Sequence, residues 1–327
     1  MRAMVLETVG QNLNARDMPI PKPDADQVLI RVEACGVCRT DLHIIDGELD
    51  NAVLPLVPGH EIVGRVAALG SRVSTLTLGQ RVGVPWLGST CGRCHYCRTQ
   101  QENLCDAPEF TGYSINGGFA EYCIARAPFV FPLPDDADPV ALAPLLCAGL
   151  IGFRSLRLAE PATTIGLYGF GAAAHILCQI AVWQGKTVYA FTSEGDTFSQ
   201  DFARQLGAVW AGPSSTPCPV LLDAALIFAP VGALVPIALR ALRKGGQVVC
   251  GGIHMSDIPS FPYADLWEER SIRSVANLTR QDGRMFFPLA DQSGVLTHTT
   301  AYPLADANRA LDDLRHGRLN GAAVLVP

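Results

Sequence analysis

Charge and aromatic side chains are scarce in this sequence, at 17% and 7% of residues. What charge there is tilts acidic: 25 Lys and Arg stand against 31 Asp and Glu, a formal net charge of −6. That balance excludes the clustered basic surface on which non-specific nucleic-acid binding depends. No apolar run reaches the ~20 residues of a membrane span, so no membrane partner is expected. The opening Met1-Arg2-Ala3-Met4-Val5-Leu6-Glu7 has no signal-peptide core, and the expected compartment is the cytoplasm. Internal repeats and low-complexity segments are also missing. With 327 residues the chain exceeds one average domain and points to two. A chain of that length buries roughly three quarters of its unfolded surface and needs no disulfide staple.

Cysteine, by contrast, is plentiful, with 11 residues. In a reducing compartment, clustered thiols signal metal or catalysis rather than bridges. The densest cluster is Cys91-Gly92-Arg93-Cys94-His95-Tyr96-Cys97, followed by Cys105. Four thiolates at this spacing can converge tetrahedrally on one zinc, with Gly92 easing the turn; a closed four-sulfur site leaves no open position and is structural. Bacterial ferredoxin runs instead end on a three-residue gap and a Cys-Pro pair, which Cys105-Asp106 lacks. Cys123, Cys178, Cys218 and Cys250 are scattered, and buried thiols of that kind behave as small hydrophobes.

The two parts of the chain have different rhythms. Up to about residue 148, short apolar stretches such as Val28–Val32 and Ile62–Val66 alternate with turn signals such as Pro21-Lys22-Pro23-Asp24, as in a barrel-like β domain. From Thr163 onward, apolar strands at Thr164–Tyr168, Thr187–Thr192, Ala224–Ala229 and Gln247–Cys250 alternate with helical patterns at Ala172–Gln184, Phe198–Leu206 and Ala233–Arg243. Strand–helix alternation predicts a parallel sheet covered on both faces. A further apolar strand near Ser271–Ala276 closes the series, and the tail adds a strand at Thr297–Tyr302 and an amphipathic helix around Leu304–Leu314.

Between the first of these strands and the first of these helices lies Tyr168-Gly169-Phe170-Gly171-Ala172-Ala173-Ala174, the context a dinucleotide fingerprint requires. Gly169 permits the sharp turn. Gly171, with Ala172 and Ala173 opening the helix, lets backbone approach a pyrophosphate. The third position is Ala174, which the motif tolerates for helix–strand packing. The next strand should end in an acid that binds the ribose of NAD, but Thr192 and Ser193 stand there. Hydroxyls can bond a 2′-phosphate, whereas Glu194 and Asp196 repel one and no Arg or Lys follows. The expectation leans from NAD(H) to NADP(H).

A second constellation is dispersed: Cys35-Gly36-Val37-Cys38-Arg39-Thr40-Asp41-Leu42-His43, Pro58-Gly59-His60-Glu61, and Leu145-Leu146-Cys147-Ala148-Gly149. In this order, with the four-cysteine loop between the second and third, the chain resembles zinc-dependent alcohol dehydrogenases of the medium-chain dehydrogenase/reductase superfamily, nearest the bacterial propanol-preferring group. The resemblance covers essentially the whole chain. It implies an α/β protein: a GroES-like β-barrel catalytic domain at 1–148, to which 277–327 returns, and a doubly wound Rossmann cofactor domain at 149–276. It also implies two zincs per chain and a homodimer or homotetramer.

Read through that resemblance, Cys38, His60 and Cys147 hold a catalytic zinc with one position open, a neutral site that remains a Lewis acid. Glu61 is either a neighbour of the ligands or a transient fourth ligand. Asp41 fixes the tautomer of His60. Cys at 147 favours an alcohol over a polyol. Thr40 and His43 carry the alcohol proton outward, although Thr40 also fits a plain helix N-cap. Arg39 meets the cofactor's pyrophosphate. Ile44, Ile45, Leu49 and Trp86 line an apolar pocket for a small primary or secondary alcohol or its carbonyl partner, although Trp86 also fits an ordinary core aromatic. Cys35 reads as a strand thiol or, with Cys38, a redox pair, and His254 as a core histidine or a neighbour of the nicotinamide. Two other functions fit the same fold class: a zinc-free enoyl or quinone reductase, and a non-catalytic nucleotide-binding or redox-sensing protein with structural zinc.

Overall fold

The structure, a computed structural model, describes residues 1–49, 52–319 and 321–327. It divides into two compact units: Met1–Cys147 with Leu278–Arg284 and Leu296–Pro327, and Ala148–Asn277 with Met285–Val295. No single helix is long and apolar enough to cross a membrane among the described residues.

The first unit is organised by Gln27–Val37, an 11-residue strand at the middle of a seven-stranded sheet. Alternate residues along it, Val28, Ile30 and Val32, face a core shared with Ile62, Val66, Val82 and Phe119. Its antiparallel neighbour is Glu61–Leu69, in a register that sets Cys35 opposite Ile62 and Gly36 opposite Glu61. Ala322–Val326 pairs along the other side of the same strand, and Thr299–Pro303 extends the sheet beyond it. The helix Ala307–Arg315 buries Ala307, Ala310 and Leu311, the i, i+3, i+4 stripe of an amphipathic helix.

The second unit holds a six-stranded sheet in which every pairing is parallel. Across the sheet run Trp210–Pro213, Thr187–Thr192, Thr164–Tyr168, Leu222–Ile227, Leu242–Cys250 and Ser271–Ser274. In chain order this is 3-2-1-4-5-6, so the order reverses beside Thr164–Tyr168 and places the switch point at Gly169. Successive residues of each strand feed different cores. Ile165, Leu167, Val188 and Ala190 pack on one side; Tyr168, Tyr189 and Phe191 pack on the other, with the Tyr168 and Phe191 rings stacked 4.1 Å apart. Burial on both faces is why these strands read as nearly continuous apolar runs.

Three features depart from the sequence reading. The tail does not return whole to the first unit, because Met285–Val295 groups with the second. That stretch belongs to a helix, Arg280–Ser293, whose Phe286 is fully buried with its ring 5.6 Å from Phe153. The strand Trp210–Pro213 was not expected. The apolar strand expected near Ser271–Ala276 ends at Ser274 and is exposed along its length, at the sheet edge.

Candidate metal centres and cofactor motif

The register of the central hairpin assembles the first cluster. Gly36 and Glu61 are directly paired, so Cys38, just past the end of one strand, and His60, just before the start of the other, emerge at the same sheet end. Cys147 arrives on the short helix Ala143–Leu146, which is anchored by the fully buried Leu146. Ligand atoms of Cys38, His60, Glu61 and Cys147 all lie within 4.8 Å of one another, close enough to share a metal ion.

The donor chemistry fits zinc. The Cys38 and Cys147 sulfurs are 3.8 Å apart, close to the ~3.8 Å edge of a tetrahedron with Zn–S bonds of about 2.3 Å. His60 is fully buried. Its Nδ1 lies 3.3 Å from Asp41 Oδ1, and both ring nitrogens, sealed from water, lack a hydrogen bond among the described residues. A buried nitrogen left that way costs about 1–3 kcal/mol unless something binds it. Asp41, itself buried, accepts at Oδ2 from Cys38 N (2.8 Å) and at Oδ1 from Gly59 N (3.2 Å). One carboxylate thus orients both segments that carry ligands, as partners of metal-bound histidines do.

The four groups perturb one another strongly. The Cys147 thiol and His60 hold Cys38 well below the usual thiol range against the opposing effect of burial. Cys147 is pushed well up by its bond with Cys38 and by burial. Burial disfavours the charged His60 ring, but Asp41 and Cys38 outweigh it and raise the imidazole well above its usual value. Burial and the Cys38 sulfur push Glu61 well up.

Glu61 has room only because its cross-strand partner is glycine. A Cβ on Gly36 would collide with Glu61 Oε2 and lie 2.9 Å from Glu61 Cβ. Side chains of directly paired residues share a sheet face, so neither can move aside cheaply. Gly36→Ala is therefore expected to lower stability by about 1–3 kcal/mol, the usual cost of overpacking. Most of that loss should disappear when the substitution is made in a Glu61→Gly background, as measured by denaturant titration of all four combinations. Equal losses in both backgrounds would show that the two residues do not compete for space.

The second cluster is formed by Cys91, Cys94, Cys97 and Cys105. Sulfur separations of 3.5 Å (Cys94–Cys97), 3.9 Å (Cys94–Cys105) and 4.0 Å (Cys91–Cys97) again fit a zinc tetrahedron. Backbone N–H groups point at the sulfurs, from Cys94 to Cys91 (3.4 Å), Cys91 to Cys105 (3.3 Å) and Ala107 to Cys105 (3.4 Å). Bonds from the Arg93 and Cys94 backbone lower Cys91 to about 6, and bonds from the Asp106 and Cys97 backbone lower Cys94. Burial raises Cys97 to about 11.

The other sequence candidates fall in different places. Thr40 is not the N-cap of helix Arg39–Ile45, because Cys38 is. Thr40 lies in the first turn, with Oγ1 3.7 Å from Cys38 Sγ. His43, three residues on and so on the same helix face, contacts Glu48 through Nδ1, a partner the sequence reading missed. Arg39 is exposed. Ile44 is fully buried in the core of the first unit, and Ile45 lines a groove with Leu42, Asn308 and Arg315. Leu49 packs against the same core. Trp86 does reach the cluster, its ring 5.0 Å from His60 and stacked on Phe110 and Tyr113. Those two rings were also missed; distant in sequence from the ligands, they carry no motif.

In the second unit, Gly169 has φ +86° and no space for a side chain, since a Cβ would come within 2.8 Å of Ala229 N. Gly171 is the N-cap of helix Ala172–Trp183, and a Cβ there would meet nothing within 4 Å, so the approach to the helix end is open. Ala172 and Ala173 form the first turn and Ala174 is fully buried, as the motif requires. Thr192 ends its strand with its hydroxyl already engaged, donating to Ser193 O and accepting from Gln200 Nε2.

Comparison with known proteins gives a consistent picture. Residues 24–135 match the alcohol dehydrogenase GroES-like domain. A probable alcohol dehydrogenase, AdhA, of Mycobacterium tuberculosis is 46% identical over 94% of this chain and 90% of its own length. Acetophenone reductase from Geotrichum candidum, solved in complex with NAD, superposes with a TM-score of 0.89 at 27% identity, over 100% of this chain and 97% of its own. A zinc-binding dehydrogenase from Sinorhizobium meliloti, described as putative and bound to NADP, gives 0.87 at 25% identity over 100% and 99%.

Proposed function

This chain belongs to the zinc-type alcohol dehydrogenases of the medium-chain dehydrogenase/reductase superfamily, NAD(P)-dependent enzymes that interconvert alcohols and carbonyl compounds, and on that premise we propose a role for each of its clusters. Cys38, His60 and Cys147 hold a catalytic zinc, and Cys91, Cys94, Cys97 and Cys105 hold a structural one, two per chain. The observation that carries this reading is the meeting of three ligands from distant segments around a buried His60 Nε2 that has no other partner. Zinc in such a site acts as a Lewis acid, lowering the pKa of an alcohol hydroxyl toward neutrality.

The chain's own groups supply the rest. Asp41 holds His60 in the tautomer that leaves Nε2 for the metal. Thr40 Oγ1, beside Cys38, accepts the alcohol proton and passes it outward. His43 delivers it to solvent, its ring steadied at Nδ1 by Glu48. Arg39 offers a forked cation to the pyrophosphate. In the second unit, Gly169, Gly171, Ala172 and Ala173 let backbone approach a phosphate. Glu61, adjacent to the three ligands, is available as a transient fourth.

The apolar stack of Trp86, Phe110 and Tyr113 beside His60 supports a small, mainly apolar substrate: primary alcohols and aldehydes first, small secondary alcohols and ketones next. The full ligand set argues against a zinc-free reductase, and a hydroxyl beside Cys38 with an imidazole three residues further along the same helix argue against a protein that only binds nucleotide. All 11 cysteines are free, which suits a reducing compartment such as the cytoplasm. Short and aromatic alcohols and their carbonyl partners, assayed against NAD and NADP in parallel, test this function; turnover with neither cofactor across that panel would overturn it. The exposed edge strand Ser271–Ser274, open to pairing with a second copy, supports the reading of this chain as a homodimer or homotetramer. A monomer in sedimentation velocity at assay concentration would contradict that.

A further inference from the structure

The strand Thr187–Thr192 runs out beside the glycine turn, where Gly169 N donates to Phe191 O at 2.8 Å. The residues that follow, Ser193, Glu194 and Gly195, therefore start at the place where a dinucleotide's adenosine ribose sits against such a motif. Hydroxyls that sequence alone offers to a 2′-phosphate are occupied in holding this loop. Thr192 is 2% exposed and bonded through Oγ1 to Ser193 O and Gln200 Nε2. Ser214 Oγ donates to Thr192 O at 2.9 Å, and Ser215 Oγ donates to Glu194 Oε2 at 2.7 Å. Asp196 is committed as the N-cap of helix Thr197–Gln205, accepting from Ser199 N at 3.0 Å.

The charges all run one way. Between Lys186 and Arg240 the sequence has one cation, Arg204, and its guanidinium is bound to Asp201 Oδ1 and Ala211 O, both at 2.7 Å. Glu194 is exposed and fixed through one oxygen by Ser215, which leaves its other oxygen to accept from a hydroxyl. A carboxylate accepts from a ribose diol and repels a phosphate of nearly two negative charges.

We propose that Glu194, positioned by Ser215, accepts hydrogen bonds from the adenosine ribose hydroxyls and makes this enzyme selective for NAD(H). The acid lies two residues beyond the strand end, after a hydroxyl pair, which is why a position-by-position reading pointed to NADP(H). This inference rests on the dehydrogenase reading above, and it names the cofactor of that same site.

Two measurements test it on the wild-type holoenzyme: kcat/KM for NAD+ and NADP+ with one alcohol, and fluorescence titration with NADH and NADPH. Wild type should favour the non-phosphorylated cofactor by about a hundredfold in both. Glu194→Gln should reduce that ratio at least about tenfold through KM for NAD+, and Ser215→Ala should reduce it by a few-fold in the same direction. Preference for NADP+ in the wild type, or a ratio unmoved by Glu194→Gln, overturns the inference. The titrations need no chemistry, so NADH-selective binding without turnover would sustain the inference and overturn the dehydrogenase reading alone.

Discussion

Cys38→Ser is expected to lower alcohol turnover at least about a thousandfold and to reduce the zinc content of the purified chain from two ions to one. Serine at neutral pH brings a protonated hydroxyl where a thiolate stood. The neutral set of two thiolates and an imidazole then loses half its sulfur ligation. Removing the Lewis acid forfeits several kcal/mol of charge stabilisation, and each 1.36 kcal/mol is a factor of ten in rate. The fold should survive. Cys38 lies at a strand end and is half-buried, and its backbone N–H would still donate to Asp41 Oδ2. Elemental analysis, steady-state kinetics and circular dichroism on one preparation read all three consequences. Undiminished turnover would show that Cys38 holds no catalytic metal.

Cys94→Ser should have the opposite profile: again one zinc fewer, but with stability rather than chemistry as the main loss. The lobe that carries Cys94 has little else to hold it. Its helix His95–Arg98 is four residues long and buries no residue. Beyond it, Glu102 anchors the lobe by accepting three bonds from Arg280, at N, Nε and Nη2 (2.8–2.9 Å). Where the apolar contribution is so small, metal binding is a large part of the local folding free energy. A fall in midpoint of about 10 °C corresponds to a loss of a few kcal/mol in a chain of this size. Turnover at a temperature where the variant is folded should stay within a few-fold of wild type. If Cys94→Ser abolished turnover at full stability while Cys38→Ser only unfolded the chain, the two zinc roles would be exchanged.

How much of this was legible beforehand depended on whether the signal was local. The four-cysteine loop, the glycine turn and the strands Thr164–Tyr168 and Thr187–Thr192 are written in consecutive residues, and the strands occur with those bounds. Ligands of the first cluster were legible as motifs but not as geometry. What joins Cys38 to His60 is the Gly36–Glu61 register, a pairing across two strands that no short segment encodes. The same holds for Gly36 itself, whose lack of a side chain has meaning only once Glu61 is opposite it.

Other misreadings have equally specific causes. Helix Arg280–Ser293 contains both Gly283 and Pro288, residues that weigh against a helix in any propensity reading, and burial of Phe286 overrides them. Thr192 seemed a free hydroxyl because its partner, Gln200, lies eight residues away on the next helix.

Anomalous diffraction at the zinc edge is the most direct test of the central claim. It should show two peaks per chain: one about 2.3 Å from the sulfurs of Cys38 and Cys147 and about 2.0–2.1 Å from His60 Nε2, the other enclosed by Cys91, Cys94, Cys97 and Cys105. A single peak in the four-cysteine lobe, or a second one away from Cys38, His60 and Cys147, would contradict it.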